Sequence, residues 1–311
     1  MTNKKVNINV DDFSPACIDW SQQETTSSNN PVGFRAGWMR LCKNKGAMVS
    51  LVILIVLAIF ALVGPYMTHY TYYQTDYKHS FQAPSGDHWL GTDKFGRDQW
   101  TRIWQGTRIS LYIAILAAAL DLVIGVMFGA ISGVFGGKVD MIMQRFIDIL
   151  VGIPHLIVVI LLILLMKPGI VTISVAMVIT GWVNMARLVR SQIFKIKSQE
   201  FIMASRSLGA GSFRLIFKHF IPNSISIILV NLMFTIPSAI FTEAFLSFIG
   251  LGLQEPLASL GVLINDGYHS MRSHPYLLLF PAIVIVLLMV CFNLLADGLR
   301  DAVDPKMKKK T

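Results

Sequence analysis

Few residues of this sequence could do chemistry, and the motifs that would organise them are absent. No phosphate-binding Gly-x-x-x-x-Gly-Lys-Ser/Thr loop occurs; the nearest stretch has the wrong spacing and reads Gly133-Val-Phe-Gly-Gly-Lys-Val. The sequence also lacks the zinc-binding pattern His-Glu-x-x-His and the nucleophile pattern Gly-x-Ser-x-Gly. We therefore expect a chain that is not an enzyme, hydrolyses no ATP and binds no cofactor of its own.

Potential metal ligands are most numerous between residues 69 and 98. This stretch contains His69, His79, His88, Asp76, Asp87, Asp93 and Asp98. A metal site is one interpretation of this cluster. The interpretation we favour is a solvated outer loop without metal, because tyrosine and tryptophan residues surround the cluster, as they do at membrane–water interfaces.

The composition requires lipid as part of the solvent. Of the 311 residues, 54% are hydrophobic and only 14% are charged, whereas soluble domains have about 25% charged residues. A protein with a surface so poor in charge would not stay dissolved in water, which excludes most soluble enzymes. For the same reason, a plain nucleic-acid-binding domain is a poor explanation of the net charge of +9. The three cysteines, Cys17, Cys42 and Cys291, follow no metal or disulfide pattern.

Six apolar runs are long enough to cross about 30 Å of hydrocarbon as helices. They predict an all-α polytopic membrane protein, with the third and fourth spans joined as a hairpin by the turn Lys167-Pro-Gly169. The predicted spans are Ala47–Tyr66, Ile109–Phe135, Ile149–Met166, Gly169–Ala186, Ile221–Phe241 and Tyr276–Leu295.

The basic residues predict the orientation of these spans. An even number of spans places both termini on one side, and 20 of the 27 lysine and arginine residues fall on that side. Positive residues concentrate in cytoplasmic loops, so we expect cytoplasmic N- and C-termini. Residues Phe34–Leu41 read either as a short amphipathic helix at the inner interface or as a simple flank of the first span.

Two features of the second span suggest helix packing. Gly125, Gly129 and Gly133 are spaced to lie on one helix face, which allows another helix to approach closely. Asp121 lies in the same span, where an ionised carboxylate is costly, so it should face a protein interface or a wet cavity. A structural hydrogen bond is the favoured role for Asp121, and a proton relay is the alternative.

The fifth span is unusually polar. It contains Asn231, Thr235, Pro237 and Ser238. Such a helix either lines an aqueous translocation path and bends at its proline, or forms buried hydrogen bonds between helices. Glu243 follows this span, and the apolar segment from Phe245 to Leu253 is too short to cross, so it is predicted to be re-entrant or interfacial.

The loop from Arg187 to Phe220 carries seven basic residues and one acid. Ser198 could cap a helix that ends near Leu208, the Gly209-Ala-Gly211 stretch would break it, and Ser212 could cap a second helix. We call residues 198–221 the helix–Gly–helix segment. An exposed amphipathic helix pair suits docking of another protein, and an interfacial helix on anionic lipid is the alternative.

This segment resembles the EAA motif of permease subunits of ATP-binding-cassette importers. The motif is Glu-Ala-Ala, three residues, Gly, nine residues and Ile-x-Leu-Pro, and the chain reads Met203-Ala204-Ser205-Arg-Ser-Leu-Gly209 and then His219-Phe-Ile221-Pro222. Ala204, Gly209 and Pro222 match. Met203, Ser205, His219 and Ile221 depart from the pattern, and the missing glutamate removes any ion pair from that position.

Further stretches are similar to the C-type permeases of oligopeptide, dipeptide and related nickel importers. They are Leu90-Gly-Thr-Asp93-Lys-Phe-Gly96-Arg97-Asp98, Glu243-Ala-Phe-Leu-Ser-Phe-Ile-Gly-Leu-Gly252 and Phe292-Asn-Leu-Leu-Ala-Asp-Gly-Leu-Arg-Asp301-Ala-Val-Asp-Pro305. The resemblance implies the type I importer fold. It also implies a cytoplasmic tail (1–46), a first span with an external segment (47–107), a transmembrane domain (108–298) with a coupling loop (187–221), and a basic cytoplasmic tail (299–311).

The resemblance further implies a multi-pass permease of the bacterial plasma membrane that imports peptides. Its partners would be a second, homologous permease, two cytoplasmic ATPases that hold ATP and Mg²⁺, an external peptide-binding protein and membrane lipid, but not nucleic acid. The expected ATPase contacts are Met203, Ala204, Ser205, Gly209, Ala210, Phe213, Ile221 and Pro222.

Other functions remain possible at this level. An ion- or proton-coupled secondary transporter would show inverted repeats and ionisable residues near the midplane, and only Asp121 fits that expectation. A nickel or metal-chelate importer of the same family is a further alternative. An intramembrane enzyme would need a nucleophile and base that the sequence does not bring together.

Overall fold

The computed structural model describes residues 34–166 and 169–303, and the predicted all-helical architecture is confirmed there. Predictions for residues 1–33 and 304–311, and for the Lys167-Pro168 turn, lie outside the described residues. Eleven α-helices follow one another in the described part: α1 (Phe34–Lys43), α2 (Lys45–Val63), α3 (Gln99–Phe135), α4 (Gly137–Gly152), α5 (His155–Met166), α6 (Ile170–Lys197), α7 (Glu200–Ser207), α8 (Ser212–Leu215), α9 (Ile221–Phe248), α10 (Leu260–Ser270) and α11 (Tyr276–Val303).

Five long apolar helices in the described residues could cross a membrane. They are α2, α3, α6, α11 and the continuous helix that runs from α8 through α9. A sixth span is possible if α4 and α5, which are bent by 77° at the break between them, are counted as one. The count of six is therefore reached only with this broken pair.

The third predicted span, Ile149–Met166, is wrong as a single straight helix. α4 ends at Gly152, and α5 begins only at His155. Pro154 explains the break, because proline lacks the backbone N–H of a helix interior and disfavours helical geometry at Ile153, which is extended (φ −95°, ψ 123°).

Several helices run further than the apolar runs predicted. α3 begins ten residues before Ile109, because Asp98 caps it: one carboxylate oxygen accepts from both the amide (2.9 Å) and the hydroxyl (2.8 Å) of Thr101. α6 continues past Ala186 to Lys197, so the first part of the predicted loop is helical. α9 continues to Phe248, so the start of the predicted re-entrant segment at Phe245 belongs to a spanning helix.

The packing of α3 against α6 confirms the close approach expected from the glycine spacing. A β-carbon built on Gly125 would lie 2.6 Å from Cβ of Met185, and one on Gly129 would collide with the backbone oxygen of Ala186. Gly133 meets Ile193 in the same way. Since lipid provides no hydrophobic drive between helices, this backbone contact is what holds the pair together.

Buried apolar side chains form two main clusters along this helix pair. One joins α3, α5, α6, α9, α10 and α11 and includes Ile113, Ile173 and Ile240. The other joins the C-terminal halves of α3 and α6 to the helix–Gly–helix segment and includes Val189 and Phe220. The second cluster fixes the segment to the membrane helices.

Gly129→Ala should destabilise the fold. The added methyl group would meet a backbone oxygen that cannot rotate away, so we expect a loss of about 1–3 kcal/mol of unfolding free energy, as for overpacked cores. Gly152→Ala is the control, since no atom lies within 4 Å of the added group there. Thermal unfolding of the purified variants in detergent measures the difference; equal stability of the two would contradict the packing assignment.

Candidate functional site

The helix–Gly–helix shape predicted for residues 198–221 is confirmed. α7 ends in a turn in which the amide of Gly209 donates to the Arg206 carbonyl (2.9 Å) and that of Ala210 to the Ser205 carbonyl (3.1 Å). Gly209 has φ +84°, a left-handed conformation that glycine adopts without steric penalty. These two bonds are the Schellman arrangement that ends many helices, so Gly209 is required by backbone geometry.

The two predicted serine caps are wrong. Ser198 has helical dihedrals (φ −87°, ψ 0°) as the C-terminal cap residue of α6, and its hydroxyl donates to the Lys195 carbonyl. Gln199 and Gly211 take the two cap positions, neither with a side-chain cap bond. An N-cap needs an extended backbone, which Ser198 cannot have while it completes α6.

The segment has a buried side that fixes it in place. Ile202 of α7, Leu215 of α8 and Phe220 are almost fully buried. They pack with Ile193 and Ile196 at the end of α6. A hydrogen bond of 3.3 Å between the side chains of Ser205 and His219 further ties α7 to the residues after α8.

The opposite side of the segment is apolar and exposed. Leu208 is 89% exposed and Phe213 67%, and Met203 and Phe217 are also more than half exposed. These four side chains form an apolar surface that the described residues leave uncovered. Sequence reasoning missed Leu208 and Phe217, although both flank motif positions and Phe217 lies one helical turn after Phe213.

The other motif residues are distributed around the same segment. Ala204, Gly209 and Pro222 are exposed, whereas Ser205, Ala210 and Ile221 are half-buried. Seven of the eight predicted contact residues thus lie in this segment and Pro222 follows it, but only some of the eight are exposed.

No helix break separates this segment from α9. Residues 216–220 form a π-helical turn, and the path from Ser212 to Phe248 is one continuous helix of 37 residues. Pro222 lies just after this π-helical turn and inside the continuous helix, and the Asn223 side chain donates to the His219 carbonyl (2.6 Å). A displacement of the exposed surface would therefore reach α9 directly.

The polar residues of α9 form a stripe. Asn231, Thr235 and Ser238 recur at helical spacing and are at least partly exposed, and Thr242, which sequence reasoning missed, extends the row by one turn. Asn231 also donates to the Met185 sulfur of α6 (3.7 Å). Pro237, in contrast, is buried and lies off the stripe.

Asp121 faces a protein interface, as expected. It is 6% exposed and lies against α6 at Gly181, where an added β-carbon would be 2.5 Å from one carboxylate oxygen. The expected structural hydrogen bond is not formed at its Oδ1, which has no partner among the described residues. Glycine at position 181 is what makes room for this carboxylate.

Glu243 is a buried acid whose partners the sequence did not reveal. It is fully buried, and its two oxygens accept hydrogen bonds of 2.8 Å from the hydroxyls of Ser110 and Ser247. The Ser110 hydroxyl in turn accepts from the amide of Leu260 at the start of α10 (3.2 Å). Glu243 thus joins α3, α9 and α10.

Two histidines of the predicted outer loop each pair with an aspartate. His88 lies 2.9 Å from Asp98 and His79 lies 2.7 Å from Asp76, and the hydrogen bond from His79 lowers the pKa of the Asp76 carboxyl. Across the described residues, no three histidine, cysteine or acidic side chains are arranged to hold a metal ion.

Asp93 is the centre of a buried ion network. One of its oxygens accepts from Arg97 and from Arg102, both at 2.6 Å. Arg102, which is fully buried, also reaches Asp266 of α10 (3.4 Å). The network fixes the segment before α3 to α10.

The long apolar helices define a multi-pass membrane protein, and its helix–Gly–helix segment presents exposed apolar side chains on a packed base. Comparisons with known proteins identify the family of the chain. The family described as "Binding-protein-dependent transport system inner membrane component" matches residues 125–309, and the "N-terminal TM domain of oligopeptide transport permease C" matches residues 34–84.

Curated relatives agree along nearly the whole chain. The chain is 46% identical to the oligopeptide transport system permease protein OppC of Bacillus subtilis over 97% of its length and 99% of the relative's. It is 49% identical to the dipeptide permease DppC of the same organism over 88% of its length and 85% of the relative's. Against OppC of Escherichia coli K12 the identity is 41%, over 86% and 89%.

The chain belongs to the family of binding-protein-dependent inner-membrane transport components, as a C-type permease of the group formed by peptide ATP-binding-cassette importers. It is a multi-pass membrane protein and not an enzyme. The alternative of an ion-coupled secondary transporter is wrong, because the whole chain aligns with permeases of this other class.

Arg102→Met should be strongly destabilising. It leaves the buried Asp93 and the partly buried Asp266 with one cationic partner fewer, and breaking a buried ion pair costs about 3–5 kcal/mol. Lys94→Met is the control, since Lys94 also pairs with Asp266 (3.0 Å) but its side chain is 43% exposed, and we expect less than about 1 kcal/mol. Thermal unfolding in detergent compares the two, and a similar loss in both would contradict the network's role.

Proposed function

We propose that this chain forms half of the transmembrane path of a peptide importer and converts ATP-driven movement of partner ATPases into access changes of that path. The exposed apolar surface of the helix–Gly–helix segment carries the proposal. Leu208 and Phe213 project from a base whose inner side is packed against α6, so the surface is rigid before any partner binds.

Peptides are the proposed cargo because the relatives above are named as oligopeptide and dipeptide permeases. Similarity to both oligopeptide and dipeptide permeases suits a translocation path with few specific side chains. An external binding protein would then select the peptide. The partly exposed stripe of Asn231, Thr235, Ser238 and Thr242 supports such a path, because polar groups at membrane depth face water or protein.

The proposed partners follow from the class. A second, homologous permease would close the path, and two ATPases, which hold ATP and Mg²⁺, would bind the helix–Gly–helix segment. The distribution of basic residues supports a cytoplasmic location for this segment and for both termini. Movement of the bound ATPases would shift the segment, and the continuous helix would pass the shift to α9.

Gly209→Val should uncouple transport. A β-branched residue in the left-handed conformation costs about 1–2 kcal/mol, so the turn would distort and ATP-driven uptake should fall about tenfold. The measurement is uptake of a labelled mixture of short peptides, together with ATP hydrolysis, by the assembled importer in proteoliposomes.

Gly211→Val is the matched control for this experiment. Gly211 lies two residues further, has an extended backbone (φ −69°, ψ 159°) that valine adopts readily, and has no atom within 4 Å of an added β-carbon. Normal uptake by both variants would overturn the coupling assignment.

Phe213→Ala should weaken binding of the ATPases without unfolding the subunit. Its ring is mostly exposed, so the loss falls on the interface, where truncation of a central aromatic side chain costs about 2 kcal/mol or more. Phe241→Ala, exposed on α9 far from the segment, is the control. Co-purification of the ATPases with tagged permease reports the effect, and undiminished recovery with Phe213→Ala would exclude this surface as the dock.

A further inference from the structure

The C-terminal ends of α3 and α6 are joined by polar side chains beside the helix–Gly–helix segment. Arg190 of α6 binds Asp140 of α4 through two parallel hydrogen bonds, Nε to Oδ1 (2.5 Å) and Nη2 to Oδ2 (2.6 Å). The hydroxyl of Ser132 in α3 donates to the same Oδ1 (2.5 Å). Three helices therefore meet at one carboxylate.

Lys197 makes a second connection, at the last residue of α6. Its ammonium group donates to the carbonyl oxygens of Val134 (2.9 Å) and Gly133 (3.3 Å), which are among the last of α3. These carbonyls have no partner within their own helix, and the negative end of the helix dipole favours a cation there. Both cations lie over the Phe194 ring, at 4.8 Å from its centroid for Cζ of Arg190 and 5.9 Å for Nζ of Lys197.

The end of α6 is also the part of the membrane region that holds the helix–Gly–helix segment. Ile193 and Ile196 lie on the same stretch of α6 as Arg190 and Lys197, and they pack against Ile202. α7 begins at Glu200, three residues after Lys197. A movement of the segment must therefore act on these two cations.

The direction of α4 depends on this contact. α3 and α4 are joined by Gly136 and Gly137, both with positive φ (+63° and +52°), a glycine pair that restricts the chain very little. Asp140 lies in the first turn of α4, so its bonds to Arg190 and Ser132 hold that turn against α6 and α3. α4 then leads through the break at Pro154 into α5.

We propose that Ser132, Asp140, Arg190 and Lys197 form a polar clamp that transmits movement of the helix–Gly–helix segment to α3 and, through α4, to α5. Movement of the segment then reaches the membrane helices by two routes. The continuous helix carries it to α9, and the clamp carries it to α4 and α5. Asp140 and Arg190 are positioning residues in this scheme. The inference rests on the proposed function, because it assumes that the segment is moved by the ATPases.

A second ion pair between the same two helices provides a control. Arg187 of α6 binds Asp148 of α4 at 3.2 Å through a single contact, and both side chains are about half exposed. The Asp140–Arg190 pair is less exposed and bidentate. If any ion pair between α4 and α6 sufficed to transmit the movement, loss of either pair would have the same effect. The clamp requires that loss of the Asp140–Arg190 pair has the larger effect.

The test compares Asp140→Asn, Arg190→Gln, the double variant and Asp148→Asn in the assembled importer in proteoliposomes. The readout is the amount of labelled peptide mixture taken up per ATP hydrolysed, which loss of folded protein alone does not change. We expect a fall of about 2- to 30-fold for each clamp variant, the range found for mutations that alter coupling between sites. The double variant should be no worse than the more affected single variant, since both remove one interaction.

Asp148→Asn should leave the ratio unchanged. The inference is overturned if Asp140→Asn and Arg190→Gln retain the normal uptake per ATP, if Asp148→Asn lowers the ratio equally, or if the clamp variants only reduce the amount of assembled complex. Gly209→Val separates this failure from that of the proposed function. If Gly209→Val uncouples and the clamp variants do not, only the clamp is wrong; if Gly209→Val has no effect either, the coupling role of the segment is wrong.

Discussion

The close contact between α3 and α6 is the interaction on which the rest of the molecule depends. Lipid tails are as apolar as leucine, so helices in a membrane gain little from burying aliphatic surface, and their association depends on how closely the backbones approach. Three glycines of α3 allow that approach over the C-terminal half of the helix. The same pair carries Asp121 against Gly181 further along and the cations of the clamp at its end. Loosening the pair would therefore disturb both features.

The sequence predicts the features of this fold that are set locally. Apolar runs show the spanning helices, the four-residue spacing of glycines shows the tight face of α3, and Gly209 marks the turn between α7 and α8, because each signal lies within a few residues of its effect. Pro154 is a local signal too, but the apolar run continues on both sides of it, and so the prediction of one span, Ile149–Met166, missed the bend. Hydropathy reports how residues partition between lipid and water, so it does not show where a helix changes direction.

Features made by distant residues could not be predicted in this way. Glu243 binds Ser110, 133 positions away, and Arg102 reaches Asp266, 164 positions away, and nothing in either local sequence specifies these two contacts. The candidate site is partly set by local sequence and partly by contacts between distant residues. Its outline follows from a motif, but which of its residues face outward depends on the packing of Ile202 and Phe220 against α6.

The continuous helix from Ser212 to Phe248 fixes an angular relation between its two ends. At about 1.5 Å per residue, its 37 residues are roughly 55 Å long, and each residue turns the helix by about 100°. Inserting or deleting one residue between Phe217 and Asn231 would rotate the exposed aromatic surface relative to the polar stripe of Asn231 and Ser238. The number of residues between these two surfaces is thus as constrained as their chemistry.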